Sequence, residues 1–283
     1  MKAIILNLLA WVFLPFMDGI AKYLSADMPV LQITWARYFF TVAFTLPIMF
    51  LFFNKQLTWS EKPKLQIIRG IILLCANICF FYSISVISLA KALTLAFIAP
   101  LIVTAFSPVI LKERVGVKRW TAVIIGFIGS LVVIRPGFVE LNLASFAALG
   151  TGVMYGFYLL ITRKLSTSDN PLLTLLLTGL TGAVIISFAM PFVWVQPTSN
   201  QWYLMASIGI FAIIGHLFLI LSLKYADASK LAPFSYFEII TNIIIGYYFF
   251  SNFPDNWTFL GLFIIVCSGI YISRREKKFN PNY

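Results

Sequence analysis

Long apolar stretches alternate with short polar segments along the whole chain. Each stretch approaches the ~20 residues that an α-helix needs to cross about 30 Å of hydrocarbon. The predicted helices cover residues 3–24, 30–53, 66–87, 91–111, 118–135, 143–163, 171–195, 202–223, 230–250 and 256–273. The connections are as short as those usual between adjacent helices. The pattern therefore predicts an all-α polytopic membrane protein with ten transmembrane helices and no large soluble domain.

Composition strengthens this prediction. Hydrophobic residues make up 60% of the 283 residues, charged residues only 11%, and the mean hydropathy is +0.93. About a quarter of the residues in a soluble domain are charged, so these values argue against a water-soluble fold. Pro15, Asp18 and Lys22 interrupt the first apolar stretch, and no small-residue cleavage motif follows it. Residues 3–24 are therefore predicted to form a retained helix rather than a signal peptide.

The basic residues predict an orientation. The formal net charge is +11, but the charge lies in short clusters between apolar stretches, so no nucleic-acid-binding face is expected. One side of the predicted bundle collects most of them: Lys2; Lys55, Lys62 and Lys64; Lys112, Arg114, Lys118 and Arg119; Arg163 and Lys164; Lys224 and Lys230; Arg274, Arg275, Lys277 and Lys278. Lys91 and Arg135 lie on the other side. The positive-inside rule then places both termini in the cytoplasm. The expected location is the plasma membrane, or the inner membrane if the protein is bacterial.

Ten helices divide into two halves of five. An odd number of crossings reverses the direction of the second half, which predicts an inverted repeat. The predicted repeats are residues 1–137 with helices 1–5 and residues 138–283 with helices 6–10. Each half ends in a Trp followed by a Gly-spaced apolar helix, with Trp120 and Gly126 in one half and Trp257 and Gly261 in the other.

Three segments carry a resemblance to a known family. LKERVGVKRWTAVIIGFIGSLVVIRPG, residues 111–137, resembles the end of the first repeat in the EamA family of the drug/metabolite transporter superfamily. Residues 225–276 and 16–40 are similar to a subgroup often described as S-adenosylmethionine uptake transporters or general metabolite permeases. The family's acidic residue after helix four is kept as Glu113, whereas its second-half counterpart is Ser251 or Asn252. The resemblance implies a small-molecule transporter.

Four ionisable side chains lie well inside predicted helices: Asp18, Lys22, Arg37 and Glu238. Unpaired, they would cost roughly 10 kcal/mol on insertion scales, so we expect them to be paired or to face a polar cavity. Their formal charges sum to zero, which suits a zwitterionic or cationic substrate.

The first helix carries Trp11, Pro15, Asp18 and Lys22 on one face. This face predicts a cavity wall, with Pro15 freeing a backbone carbonyl and permitting a kink. Alternatively, Asp18 and Lys22 pair with each other and only order the helix. Arg37 either holds a substrate carboxylate or pairs with Asp18.

Glu238 is the leading candidate for coupling transport to protons. Burial in the ninth helix favours its neutral form, which can release and take up a proton. The alternative is a structural Glu bonded to helix eight, with no part in turnover.

Further candidates for the cavity wall are polar or aromatic residues within the predicted helices: His216, Asn77, Tyr82, Tyr155, Tyr158 and Tyr236. Tyrosine faces can bind a cationic head group, although packing is the favoured explanation for each tyrosine taken singly. Pro100, Pro108 and Pro233 interrupt helices four and nine, which predicts hinges at corresponding positions of the two halves. Gly152 and Gly156 form a G-x-x-x-G motif that permits close helix packing.

No nucleophile–base pair, phosphate loop or metal-ligand constellation occurs, so neither an enzyme nor a cofactor is predicted. Cys75, Cys79 and Cys267 lie in apolar stretches and are assigned to packing. The predicted function is secondary active transport by alternating access, with S-adenosylmethionine uptake as a candidate and protons as the candidate coupling ion. An exporter of amino acids, amines or lipophilic cations is the alternative, and a non-transporting membrane scaffold is a third hypothesis. The predicted partners are a small-molecule substrate and the lipid bilayer, and the oligomeric state is left open.

Overall fold

A computed structural model describes residues 1–52, 60–134, 142–250 and 256–279. Over these ranges the chain is helical, with no β-strand. The helices are α1 (Lys2–Leu24), α2 (Val30–Phe52), α3 (Pro63–Val86), α4 (Leu89–Ala96), α5 (Ala99–Ile110), α6 (Val117–Ile134), α7 (Leu143–Ser166), α8 (Pro171–Ser187), α9 (Met190–Val193), α10 (Ser199–Tyr225), α11 (Ala228–Leu231), α12 (Glu238–Phe250) and α13 (Asn256–Phe279). A 3-10 helix, Ala232–Phe237, joins α11 to α12.

Six segments are long and apolar enough to cross a membrane: Lys2–Leu24, Val30–Leu51, Pro63–Val86, Ala92–Ile110, Leu143–Ser166 and Ser199–Tyr225. The helices also expose large apolar side chains, for example Phe192 at 85% and Leu51 at 77%. Such a surface suits lipid rather than water. The all-helical membrane architecture is therefore confirmed, whereas the count of ten crossings stays a prediction.

Proline positions explain where predicted helices are divided. A proline lacks the N–H that would bond to the carbonyl four residues earlier, and its ring clashes with that carbonyl. The predicted helix 91–111 breaks after Ala96, four residues before Pro100. The predicted helix 171–195 ends at Ser187, four residues before Pro191, and the short α9 follows.

The predicted helix 230–250 is likewise three pieces, because Pro233 stands at the start of the 3-10 segment. Pro15 lies inside the continuous helix α1 and Pro108 lies near the end of α5. Arg135, Lys55 and the predicted repeat boundary at residues 137 and 138 lie outside the described residues.

Helices from the first half of the chain pack against helices from the second half. Helix α1 packs along α10, and α3 packs along α7. Helix α2 contacts α8 and α10, while α6 packs along α13. Elements from the two halves of the chain therefore interleave, and each half supplies packing surface to the other.

The G-x-x-x-G motif seats α7 against the break between α4 and α5. A Cβ on Gly152 would lie 2.5 Å from the Ala96 carbonyl oxygen, and one on Gly156 would lie 2.8 Å from Ile102 Cβ. These distances leave no space for a methyl group. Within the chain, the motif thus serves close packing against a divided helix.

Gly152→Ala should therefore destabilise the protein by about 1–3 kcal/mol, because the Ala96 backbone cannot move aside at low cost. Gly150→Ala is the matched control on the same helix, where the nearest atom to an added Cβ is Met154 Cε at 3.9 Å. We expect thermal unfolding in detergent to show a lower midpoint for Gly152→Ala and an unchanged or higher one for Gly150→Ala. Equal midpoints for the two variants would contradict the tight seat at Ala96.

Candidate functional site

A central cavity lies among helices from both halves of the chain. Side chains of α1, α3, α4, α5, α7 and α10 line it, together with the interrupted segment from α11 to α12. The wall is largely apolar. Asp18 and Glu238 are its acidic side chains, and among the described residues no Lys or Arg lines it. The cavity is therefore suited to a positively charged group.

Helix α1 presents one polar stripe to this cavity. Asn7, Trp11 and Asp18 share a helical face and all line the cavity. Trp11 Nε1 donates a hydrogen bond to Asn7 Oδ1 over 2.8 Å, and Asn7 Nδ2 donates to Ser222 Oγ on α10 over 3.2 Å. The stripe is thereby held in register with α10.

Asp18 is only 4% exposed, yet within the part of the chain that the structure describes its carboxylate has no hydrogen bond or ion pair. Lys22, one turn further along α1, donates instead to the carbonyl oxygens of Ile84 and Ile87 at the end of α3. Lys22 thus caps α3 rather than pairing with Asp18. The Asp18 carboxylate faces the cavity.

Glu238 begins α12, directly after the 3-10 segment, and is 9% exposed. Its side chain lines the cavity beside Ser235. Its backbone carbonyl accepts a hydrogen bond from Asn242 Nδ2 over 3.0 Å. Glu238 and Asp18 are close enough for their charges to repel. A cation placed between them would relieve that repulsion.

Arg37 lies behind the cavity wall rather than on it. Its Nη2 is 2.6 Å from His216 Nε2, its Nε contacts Met17 Sδ at 3.3 Å, and its guanidinium lies 4.6 Å from the ring centre of Tyr38. Arg37 makes no ion pair with Asp18. His216, which does line the cavity, therefore separates the guanidinium from the central space.

A second buried arginine extends this network. Arg69 is fully buried and donates from Nη2 to the Tyr158 hydroxyl over 3.0 Å, from Nε to Thr162 Oγ1 and from Nη1 to Thr178 Oγ1, both over 2.7 Å. The Tyr158 hydroxyl also lies 3.1 Å from His216 Nδ1. A continuous chain of hydrogen bonds thus links Arg37 to Arg69.

Asp169 closes the far end of this network, in the loop after α7. It accepts hydrogen bonds from Gln66 Nε2 over 2.6 Å, from Ser168 Oγ over 3.1 Å and from the Ser60 hydroxyl. Gln66 Oε1 in turn accepts from Arg69 Nη1. Burial alone raises the pKa of Asp169, but the hydrogen bonds from these three side chains hold its pKa below the usual value.

An ionic cluster joins the two halves next to the cavity residues Leu223 and Ala228. Arg163 pairs with Asp227 at 3.3 Å and with Glu113 at 3.6 Å, and Arg119 pairs with Asp227 at 3.4 Å. Glu113 also accepts hydrogen bonds from the backbone N–H of Ala228 and from Ser229. Residues of the first half thereby clamp the start of the interrupted segment.

The remaining predicted site residues separate into two groups. Asn77, Tyr155 and Pro100 line the cavity, and Tyr155 stacks on Tyr158 with ring centres 5.3 Å apart. The others lie away from the wall: Lys22, Arg37, Tyr82, Tyr158, Tyr236, Pro15, Pro108 and Pro233.

Sequence reasoning missed Arg69 as a buried charge and Asn7 and Thr151 as cavity residues. A signal existed for Asn7, which lies four residues before Trp11 on the polar face of α1. Arg69 lies near the start of its predicted helix, where an interfacial position is the ordinary expectation. Nothing in the sequence placed Thr151 in the wall.

Comparison with known proteins identifies related chains along nearly the whole length. The sequence model described as the EamA-like transporter family matches residues 1–135 and 142–274. An S-adenosylmethionine uptake transporter of Rickettsia prowazekii is 25% identical over 96% of this chain and 94% of its own length. A riboflavin transporter of Vibrio cholerae is 25% identical over 92% and 89%. A pseudopaline exporter of Pseudomonas aeruginosa is 28% identical over 98% and 97%.

A solved crystal structure shares the fold. It superposes with a TM-score of 0.79 at 16% sequence identity, and the match covers 97% of this chain and 98% of that chain. At this identity the likeness bears on the architecture alone.

The Asp169 contacts predict a loss of stability in acid. A carboxyl whose pKa is lower in the folded than in the unfolded protein contributes stability above its unfolded pKa of about 3.9, and this stability is lost as the pH falls through the folded pKa. The thermal midpoint of the wild type should therefore fall relative to that of Asp169→Asn as the pH is lowered from about 5 towards 3. Asp27→Asn, which removes an exposed carboxylate elsewhere, is the control and should follow the wild type. A constant difference between wild type and Asp169→Asn across this range would contradict the assignment.

Proposed function

Because the chain belongs to the EamA-like transporter family, it is a multi-pass membrane transporter of a small molecule rather than an enzyme, and we propose that its substrate is a zwitterionic or cationic metabolite. The observation that carries this proposal is the charge of the cavity wall. Asp18 and Glu238 line it, no Lys or Arg is among the described lining residues, and Arg37, whose charge acts on Asp18, lies behind the wall. A carboxylate in a low-dielectric site attracts a cation strongly.

Aromatic groups of the wall support the same substrate class. Trp11 and Tyr155 meet edge to face with ring centres 6.4 Å apart, and both line the cavity beside Asp18. Ring faces contribute roughly 0.5–2 kcal/mol each to binding of a cationic head group.

S-adenosylmethionine is the first candidate substrate. Its sulfonium and amino groups are positive, which suits Asp18 and Glu238, and relatives with about the same length carry that name. A substrate carboxylate at Arg37, which the sequence suggested, receives no support from the contacts, because His216 lies between Arg37 and the cavity. Riboflavin and pseudopaline, named for other relatives, are the comparison substrates.

We further propose that the fold consists of two inverted repeats of five crossings each, residues 1–137 and 138–283. The two separate family matches support this division. The helix pairing supports it as well. If each helix is replaced by its counterpart in the other half, the pair α1–α10 becomes the pair α7–α3. Helices interrupted at Pro100 and Pro233 then occupy corresponding positions, as in transporters with a site at the midplane.

Transport would proceed by alternating access between the two repeats. The predicted orientation puts Glu113, Arg119 and Arg163 on the cytoplasmic side, with both termini. In that orientation the ionic cluster of Glu113, Arg163, Asp227 and Arg119 closes the cytoplasmic end of the cavity. Rearrangement of the interrupted segments α4–α5 and α11–α12 would open it. We propose that Glu238, at the break before α12, exchanges a proton during this step.

Export is the second candidate direction, favoured by one observation. The relative from Pseudomonas aeruginosa, which matches this chain nearly end to end, is named an exporter. The cavity chemistry suits cationic cargo in either direction, including amines and amino acids.

Uptake of radiolabelled S-adenosylmethionine into proteoliposomes, with and without a pH gradient, tests substrate and coupling together. We expect wild-type uptake to depend on the gradient. Glu238→Gln, which keeps the size but cannot release a proton, should fold normally and lose the response to the gradient. Glu61→Gln, at an exposed position outside the cavity, is the matched control.

Wild-type protein that is correctly folded but moves no S-adenosylmethionine would exclude this substrate, and competition with riboflavin, amines and amino acids would follow. Gradient-driven uptake that survives Glu238→Gln would exclude Glu238 as the coupling residue. Size-exclusion chromatography of each variant establishes that an inactive protein is folded.

A further inference from the structure

A second, smaller cavity lies behind His216, between the buried side chains of Arg37 and Arg69. It has room for about one water-sized molecule. Neither guanidinium forms an ion pair within the described part of the chain, and no acidic side chain lines this cavity. Two cations therefore face one small space with no acidic side chain in its described lining, and the negative charge that acts on Arg37 from outside is that of Asp18, on the central cavity.

The hydrogen bonds beside this cavity run in one direction. Arg37 cannot accept a hydrogen bond, so its Nη2 donates to His216 Nε2. His216 Nδ1 then carries the hydrogen of the neutral ring and donates to the Tyr158 hydroxyl oxygen over 3.1 Å. Arg69 Nη2 donates to the same oxygen over 3.0 Å. That oxygen receives two hydrogen bonds, and the Tyr158 O–H remains available as a donor.

Donors also outnumber acceptors on the rest of the wall. A guanidinium has five N–H groups, and the described hydrogen bonds of Arg37 use two of them. The hydroxyl hydrogens of Thr41 and Thr178 are donated to the carbonyl oxygens of Arg37 and Thr174. The hydrogens left over therefore belong to Arg37, Arg69, Tyr158 and Tyr38, whose hydroxyl oxygen accepts from Asn77 Nδ2.

We propose that this cavity binds one monovalent, monatomic anion, with chloride as the physiological candidate. Converging donors from two guanidiniums and a phenol are the groups that stabilise a small anion. A negative charge between Arg37 and Arg69 offsets the repulsion of two like charges that the hydrocarbon cannot solvate. The size of the cavity excludes a metabolite, so the anion is a resident ion and not the transported substrate.

The first test is thermal unfolding of the purified full-length protein in sodium chloride and in sodium gluconate at equal ionic strength. A ligand that binds only the folded state raises the melting temperature in a saturable way, and we expect this with chloride. Tyr158→Phe removes one donor but keeps the ring that Arg69 lies against. Half-maximal stabilisation of this variant should need about ten-fold more chloride.

Tyr236→Phe is the matched control. It removes an equally buried hydroxyl that has no hydrogen-bond partner among the described residues and lies outside both cavities, so its chloride response should equal that of the wild type. A second readout uses crystals soaked in bromide, where anomalous scattering should place an ion within hydrogen-bond distance of Arg37 and Arg69.

Equal melting temperatures in chloride and gluconate would overturn the proposal, as would the absence of bromide between the two arginines. An identical loss of chloride response in both Tyr→Phe variants would also overturn it. Acetate that stabilises as well as chloride would show that the site accepts carboxylates, and the assignment to a resident halide would then be wrong.

Discussion

Ionisable groups that are buried away from both water and lipid must find their hydrogen-bond partners within the protein itself. In this protein the requirement applies above all to Arg37 and Arg69. Arg69 on α3 donates to side chains of α7 and α8, and Arg37 on α2 meets α10 through His216. A guanidinium cannot shed its proton, so each of these contacts constrains helix positions as well as charge. The hydrogen-bonded network across α2, α3, α7, α8 and α10 follows from that constraint, and His216 is a member of it that lines the central cavity.

The part of the cavity lining that α4, α5 and the segment from α11 to α12 supply is built differently. Helices α4 and α5 are separated at Phe97 and Ile98, and a 3-10 segment stands between α11 and α12. Interrupted backbone at membrane depth is tolerated where it borders protein or a polar cavity. Glu238 follows one of these interruptions directly. The short helical pieces can therefore move without breaking the hydrogen bonds that join Arg37, His216, Tyr158 and Arg69.

Hydrophobic pattern alone located nearly all of the helices, because crossing a bilayer imposes both length and apolarity on a segment. It could not decide whether a proline kinks a helix or ends it: Pro15 is carried inside α1, whereas Pro100 follows a break. The same limit applies to the site. Asp18 and Glu238 were visible as charges in apolar stretches, and both line the cavity. The partners of Lys22 and Arg37 were not visible, because Ile84, Ile87 and His216 approach them only through packing between distant helices.

The packing of α1 on α10 and of α3 on α7, each between the two halves of the chain, has a consequence for biosynthesis. The amino-terminal helices leave the ribosome long before α7 and α10 exist, so the polar stripe of Asn7, Trp11 and Asp18 must enter the membrane without the helix that will hold it. Arg69 is likewise inserted before its hydrogen-bond partners Thr162, Thr174 and Thr178 have been synthesised. Until the second half has been inserted, these groups depend on the insertion machinery, on water near the membrane surface or on temporary neighbours. The two halves therefore reach the folded state together, because helices that are synthesised late supply the polar contacts of helices that are synthesised early.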